Sequence, residues 1–402
     1  MDLKSGYPYW AIKNGLMAAF PPLQQDLRCE VAVIGGGITG ALIANELNKH
    51  GFDVAVIEQR DVGWGSTAAS TALLQYEIDT PLVDLAKQYG EPSAVLAYQA
   101  CADAIGQLRE LAGTVRDVDF AMQQSLYYAS HFWQAGAVRD EYRLRARHGF
   151  QVDLLEADEL QQRYGIKAPC AILSHLAARV DPYRLAHRLL ARLRRRGGQA
   201  FDRSTVAAIE PGARGVRLRT ADGIGVHCQH LVMAAGYASQ GWLDDQVARN
   251  RSSYAFITDP IAADALKHLS DTLVWESARP YLYLRSTGDG RLLVGGEDDD
   301  IDIPARRDRR VEGKARRLAA RVQRMFPEVP VKPAFSWAGT FAETCDGLPY
   351  FGNHRQYGSR VHFAMAYGGN GITYSMIGAQ LLRSRLQRRR HPLAKLFSFD
   401  RK

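Results

Sequence analysis

Three glycines, Gly35, Gly37 and Gly40, stand in the spacing G-x-G-x-x-G directly after the apolar run 31–34, and an acid, Glu58, closes a second apolar run at 54–57. The first glycine permits a tight turn, the second lets backbone approach a pyrophosphate, and the third lets a helix pack closely on a strand. The phosphates would sit on the free N–H groups of Ile38, Thr39 and their neighbours, where the aligned peptide dipoles of the helix favour negative charge. Glu58 would hydrogen-bond ribose hydroxyls. The chemistry implied is binding of a dinucleotide.

A second glycine-rich segment, Gly368-Gly369-Asn370-Gly371, lies between an apolar run at 361–365 and a helical pattern opened by Ile372 and Thr373. Its N–H donors also suit a negative group, but no acid-terminated strand follows, so a second dinucleotide site is not expected. His227, Cys228 and His230 superficially resemble a metal cluster. Alternation along a strand splits them between faces, and their spacing matches no common ligand pattern, so no metal is expected. No Ser-His-Asp arrangement is discernible.

These groups must be positioned by an opening βαβ unit over about residues 26–60, with apolar runs long enough for buried parallel strands. A small-residue segment follows at 63–72. Residues 80–107 read as helical, with Leu82, Leu85, Ala86 and Tyr89 on one face. Asp181 and Pro182 open another helix that stops near Gly197-Gly198. Strands are expected at 205–209, 215–220, 225–228 and 231–236. A hairpin is expected at 281–294, and a helix opened by Pro304 over 305–326. Mixing of βαβ units with antiparallel strands predicts two interleaved domains.

The chain has 402 residues, 46% of them hydrophobic, enough for a large core. Five scattered cysteines without a C-x-x-C pair argue against a disulfide framework. Neither a signal peptide nor an apolar run of membrane-spanning length is evident, so a cytoplasmic location is expected. The net charge of +8 resides mainly in arginine clusters interleaved with Leu, Ala and Val at helical spacing. They read as solvated helix faces rather than a nucleic-acid surface.

The opening fingerprint, Gly65–Ala72, Val180-Asp181-Pro182, Ala234-Ala235-Gly236, Trp337-Ala338-Gly339 through Asp346-Gly347-Leu348-Pro349, and Gly368–Thr373 together resemble the D-amino acid oxidase-like superfamily of FAD-dependent oxidoreductases. Tyr9-Trp10 and Pro22-Leu23 look most like its γ-glutamylputrescine oxidase branch; glycine and sarcosine oxidases are other members. The resemblance covers most of the chain. It implies an α/β fold: a Rossmann-type FAD-binding domain (26–85, 150–236 and 335–402) with an interleaved α+β substrate domain (86–149 and 237–334) on a mixed or antiparallel sheet, and an N-terminal extension over 1–25.

The same resemblance implies which residues meet the cofactor. Gly35, Gly37 and Gly40, with Ile38 and Thr39, would face the pyrophosphate; Glu58, followed by Gln59 and Arg60, would face the adenosine ribose. Gly65, Ser66, Thr67 and Ala68 would line the phosphates and flavin, Val206 would touch adenine, and Ala235, Gly236 and Gly339 belong to the same shell. Gly369, Asn370, Gly371, Ile372 and Thr373 would place N–H donors at the flavin N1/O2 edge, where reduction adds negative charge. Gln75, Tyr76 and Arg285 are candidates for the catalytic side, each with a structural or surface role as the alternative. Tyr254 and Tyr283 are candidate pocket walls.

Two positions depart from the family. Amino-acid oxidases of this group place an arginine two residues after the Trp-x-Gly glycine to clamp a substrate carboxylate; here that residue is Phe341. Where a covalent flavin would need a cysteine the chain has Gly339, and Cys345 lies further on, so non-covalent FAD is expected. With one nucleotide fold, a small substrate would deliver the electrons. The function implied is transfer of hydride to flavin N5 from the carbon beside an amine, in an amine or N-substituted amino acid. The resulting imine would hydrolyse, and oxygen or another acceptor would reoxidise the flavin. The alternatives are a flavin-dependent 2-hydroxy-acid dehydrogenase, or a flavoprotein subunit needing a partner. An oligomer is possible.

Overall fold

The computed structural model describes residues 3–300 and 303–401. Two sheets organise the chain. The first is eight-stranded, with the order Tyr350–Asn353, Val361–Met365, Gly225–Met233, Leu27–Ile34, Val54–Ile57 and Gln199–Phe201; the hairpin Val206–Pro211/Val216–Thr220 is attached through Gly225–Met233. From Val361–Met365 to Gln199–Phe201 the strands run parallel. Both faces are covered, which explains the uninterrupted apolar runs. Val31, Val33, Val54 and Val56 pack toward the helices Ile38–Lys49, Pro182–Arg195 and Gly371–Leu386, while Ala32, Ala55 and Ile57 pack against the hairpin layer.

The second sheet is ten-stranded and mixed. Its order is Lys4–Gly6, Pro333–Glu343, Arg249–Thr258, Leu292–Asp299, Leu282–Ser286, Thr272–Glu276, Ala121–Tyr128, Cys170–Arg179 and Leu73–Gln75, with Val152–Glu156 paired to Cys170–Arg179. Only the pair Thr272–Glu276/Ala121–Tyr128 is parallel. Leu318 and Val322 of the helix Val311–Met325 pack on its outer face against Tyr254, Phe256, Leu284 and Val294.

The chain crosses between these sheets more often than the expected boundaries allow. The expected nucleotide domain includes residues 150–236, yet Val152–Glu156 and Cys170–Arg179 pair in the ten-stranded sheet, as do Leu73–Gln75 and Pro333–Glu343. Lys4–Gly6, in the expected N-terminal extension, is that sheet's edge strand. Conversely, the helix Glu91–Gly113 packs into the core of the nucleotide side, against Gly371–Leu386.

Local punctuation matches the residues. Asp181 caps Pro182–Arg195, its carboxylate accepting the Arg184 N–H at 2.9 Å. The helical segment expected over 80–107 is two helices, Leu82–Tyr89 and Glu91–Gly113, because Gly90 takes a φ of +79° between them. The helix expected over 305–326 is likewise two, Pro304–Asp308 and Val311–Met325. The strands expected at 225–228 and 231–236 are one, Gly225–Met233.

Candidate active site

A long cleft runs between the two sheets, past the carboxyl ends of the parallel strands at Ile34, Ile57 and Ala234. This is where open α/β sheets bind ligands. The fingerprint forms its floor. Gly35 adopts a φ of +109° and its N–H donates to the Ile57 carbonyl at 2.9 Å, with no room for a side chain against the Ala234 carbonyl. A Cβ on Gly40 would run into the Gly35 carbonyl, so this glycine serves helix packing and does not line the cleft. Glu58 ties the turn together: its Oε2 accepts the Gly36 N–H at 2.7 Å and its Oε1 accepts the Arg60 N–H at 2.9 Å. Burial pushes its carboxyl up, partly offset by these N–H groups.

The segment 65–72 crosses above this turn. Thr67 Oγ1 accepts the Ile38 N–H at 2.9 Å, joining the two loops. Two indoles fix its far end: Trp337 Nε1–H donates to the Ala69 carbonyl at 2.8 Å and Trp10 Nε1–H to the Ser70 carbonyl at 2.7 Å. Ala68 lies behind the wall, packed with Trp10. Opposite stands the second glycine segment. Gly369 N–H donates to Asp79 Oδ2 at 2.7 Å, and the Asn370 side-chain amide donates to the carbonyls of Gln75 and Glu77 at 3.0 and 2.9 Å. These bonds aim the start of the helix Gly371–Leu386 at the cleft. Gln59, Arg60, Val206, Ala235 and Gly236 line the other end.

At the end near Gly339, the cleft is walled by Gln75, Trp275, Tyr281, Tyr283 and Phe341, with Ser253, Asp298 and Glu343. Ser253 Oγ and Tyr283 Oη are 3.0 Å apart. A β-bulge delivers Asp298. Tyr254 opposes Gly296 and Ser252 opposes Asp299, so Ser253 faces both Glu297 and Asp298; Gly296 and Glu297 take φ values of +139° and +56°. Burial pushes the Asp298 carboxyl up to about 7; Asp79 and Glu343 add to this, while the Ser253 hydroxyl and Arg279 oppose it. Its Oδ1 is buried without a partner.

Besides Gly40 and Ala68, three residues expected on the substrate side do not line the cleft. Tyr76 points away from it because Gln75, its neighbour, points in; the Tyr76 ring stacks on Phe150 at 5.1 Å and its hydroxyl meets Ser174 at 3.2 Å. Tyr254 is turned outward for the same reason, beside cleft-facing Ser253, with its hydroxyl donating to Asp299 at 3.1 Å. Arg285 is neither a surface residue nor a lining one. It is fully buried, donates to the Thr71 and Ser286 carbonyls at 2.8 and 3.1 Å, and sits over the Trp10 ring, braced against the cleft wall from behind. The lining acids Asp79 and Asp298 and the aromatics Trp275 and Tyr281 escaped sequence reasoning; the run Gly295-Gly296 inside a strand was the available sign of a bulge. Cys345 is exposed, and among the described residues no three His, Cys, Asp or Glu side chains are grouped to hold a metal.

A family model described as "FAD dependent oxidoreductase" matches residues 30–385. The chain belongs to this family. The FAD-dependent oxidoreductase is 25% identical to γ-glutamylputrescine oxidoreductase of Escherichia coli (strain K12), over 93% of this chain and 87% of that protein. It is 27% identical to glycine oxidase of Bacillus licheniformis, over 86% and 89%. Its fold matches the crystal structure of glycine oxidase from Geobacillus kaustophilus with a TM-score of 0.74 at 23% identity, covering 94% of this chain and 99% of that one. FAD is therefore its cofactor, and the cleft fits it. Ser66, on the lining, has a buried hydroxyl without a partner, and Gly37 sets no side chain over the helix start, although the Ile38 N–H expected to be free there is taken by Thr67 Oγ1. No helix among the described residues is long and apolar enough to cross a membrane.

Proposed function

We propose that this FAD-dependent oxidoreductase oxidises the carbon beside a nitrogen, in an amine or a larger N-substituted compound rather than a simple α-amino acid. The observation that carries this reading is Phe341. It lines the cleft where amino-acid oxidases of the family place a carboxylate-clamping arginine, and among the described lining residues the one lysine or arginine is Arg60, at the opposite end beside Glu58. Arg279, which bears on Asp298, is stacked on the Tyr281 ring and is not among the lining residues, so a free α-carboxylate would meet no clamping cation on the cleft wall.

FAD supplies the hydride acceptor when bound. Gly35, Gly37 and Thr67 would hold its pyrophosphate, Glu58 its ribose, and Gly369–Thr373 the edge of the ring that becomes negative. The chain's share of the chemistry is to orient the substrate C–H, exclude water behind Trp275, Tyr281 and Phe341, and keep the nitrogen deprotonated. Loss of hydride and of an N–H proton gives an imine, which water converts to a carbonyl compound and a free amine. Electrons leave to oxygen or to a carrier. The scattered, unpaired cysteines suit the cytoplasm.

The test is anaerobic mixing of the yellow holoenzyme with primary amines, N-alkyl amino acids, simple amino acids and 2-hydroxy acids. Amines and N-substituted compounds should bleach the flavin. Bleaching by hydroxy acids alone overturns the reading, and bleaching by glycine or alanine shows that Phe341 does not exclude a carboxylate.

A further inference from the structure

We propose that Asp298 is the anionic anchor for the substrate's ammonium group and the acceptor of its proton, so that the substrate enters as a cation. This rests on the amine reading above and names both the residue and the charge of the ligand.

Among the described residues, four acids line the cleft: Glu58, Asp79, Asp298 and Glu343. Glu58 lies at the ribose end, with both carboxylate oxygens engaged by backbone N–H groups. Asp79 is held by the Gly369 N–H. Glu343 is paired with Arg251, which also reaches Asp300. Asp298 is left: the Ser253 hydroxyl meets its carboxylate, but Oδ1 is buried and unpartnered among wall residues. A buried carboxylate oxygen left without a partner is unfavourable unless a ligand answers it.

Its surroundings select a cation. The strand Arg249–Thr258 contributes the neutral Ser253; Leu282–Ser286 contributes Tyr283, whose hydroxyl burial holds well above its ordinary range. The strand Pro333–Glu343 brings Phe341 and the paired Glu343, and the Leu73–Gln75 side brings Asp79. The cation that bears on Asp298, Arg279, is turned onto the Tyr281 ring at 3.7 Å and donates to the Asp79 carbonyl. Aromatic faces of Trp275, Tyr281 and Phe341 beside a carboxylate suit an alkylammonium and repel a carboxylate.

The proton balance closes on the same atom. A bound R-CH2-NH3+ passes one proton to Asp298, giving the neutral amine and the carboxylic acid. The C–H bond then breaks with its electron pair leaving as hydride to FAD, so the nitrogen lone pair forms R-CH=NH2+. Water and this iminium yield the aldehyde and ammonium, and Asp298 returns its proton to solvent.

The test uses a probe that binds as a cation but has no N–H to lose: butyltrimethylammonium, titrated into holoenzyme and read by calorimetry and by perturbation of the flavin spectrum, with butyrate as the opposite charge. Because Asp298 ionises around 7, affinity for the cation should rise about tenfold between about pH 6 and about pH 8. Asp298→Asn should weaken binding at least about tenfold and flatten that profile, and Asp298→Glu should restore a pH-dependent affinity. An affinity that is flat with pH in the wild type, an Asp298→Asn variant that binds as tightly as wild type, or butyrate binding more tightly than the cation overturns the assignment. If hydroxy acids alone reduce the flavin, the amine reading falls while the charge preference is still measured by the probe.

Discussion

The hydroxyl of Thr67 accepts the backbone N–H of Ile38 at 2.9 Å, and a Cβ on Gly37 would lie 2.9 Å from that same oxygen. The phosphate turn and the segment that crosses it are thus one unit, closed by a contact that only glycine at position 37 allows.

Alanine at the two fingerprint glycines should therefore fail in different ways. Gly37→Ala presses on a side-chain hydroxyl that can rotate, so the apoprotein should melt close to wild type while FAD dissociation rises about tenfold or more. Gly40→Ala presses on the Gly35 carbonyl, which is backbone, and should cost about 2–4 kcal/mol of stability even without cofactor. Apoprotein melting and FAD titration separate the two.

Glu58 supports the turn through both oxygens. Glu58→Ala strands the N–H groups of Gly36 and Arg60 and should cost about 1–3 kcal/mol, with weaker FAD binding. Glu58→Gln keeps one acceptor oxygen but turns its NH2 toward the other N–H, so its loss should fall between those of wild type and Glu58→Ala. A loss in Glu58→Gln as large as in Glu58→Ala would show that one of the two bonds alone does not hold the turn.

The substrate end can be probed by restoring the missing cation. Phe341→Arg should let small carboxylates such as acetate bind and perturb the flavin spectrum. It should also lower the rate of reduction by amines at least about tenfold, through the positive charge set near Asp298. Unchanged amine kinetics would mean that position 341 does not face the substrate.

His187 gives the fold a dependence on acid. It is buried, bonded to the Val62 carbonyl at 3.1 Å, and burial lowers its pKa to about 4. The unfolded chain binds this proton from about 6.5 downward while the folded chain resists it, so stability is full above about pH 6.5 and falls toward pH 4, by about 1–3 kcal/mol from this group. Urea unfolding of wild type and His187→Gln across that range should show a shallower slope in the variant.

The cofactor half of the cleft was legible because its signals are contiguous: glycine spacing, apolar runs and a terminal acid all act within one βαβ unit. The substrate half was not, because which side of a strand faces the cleft depends on register. Tyr76 and Tyr254 each missed it by one residue, Gln75 and Ser253 taking the inward places. Asp298 faces inward through a bulge that breaks the alternation. In sequence Arg285 suits an anion binder or a surface residue, because nothing in the strand announces that Trp10 and the Thr71 carbonyl, distant in sequence, cover it. The domain limits drifted for the same reason, since Cys170–Arg179 reads as a strand equally well in either sheet.

The cleft is lined from Leu3 to Thr373, and the strand Lys4–Gly6 pairs with Trp337–Gly339 across most of the chain's length. The opening βαβ unit by itself can form the phosphate turn and still hold no chamber for the ring. FAD is therefore held by a joint that exists only when both ends of the described chain are folded together, and loosening either end should release it.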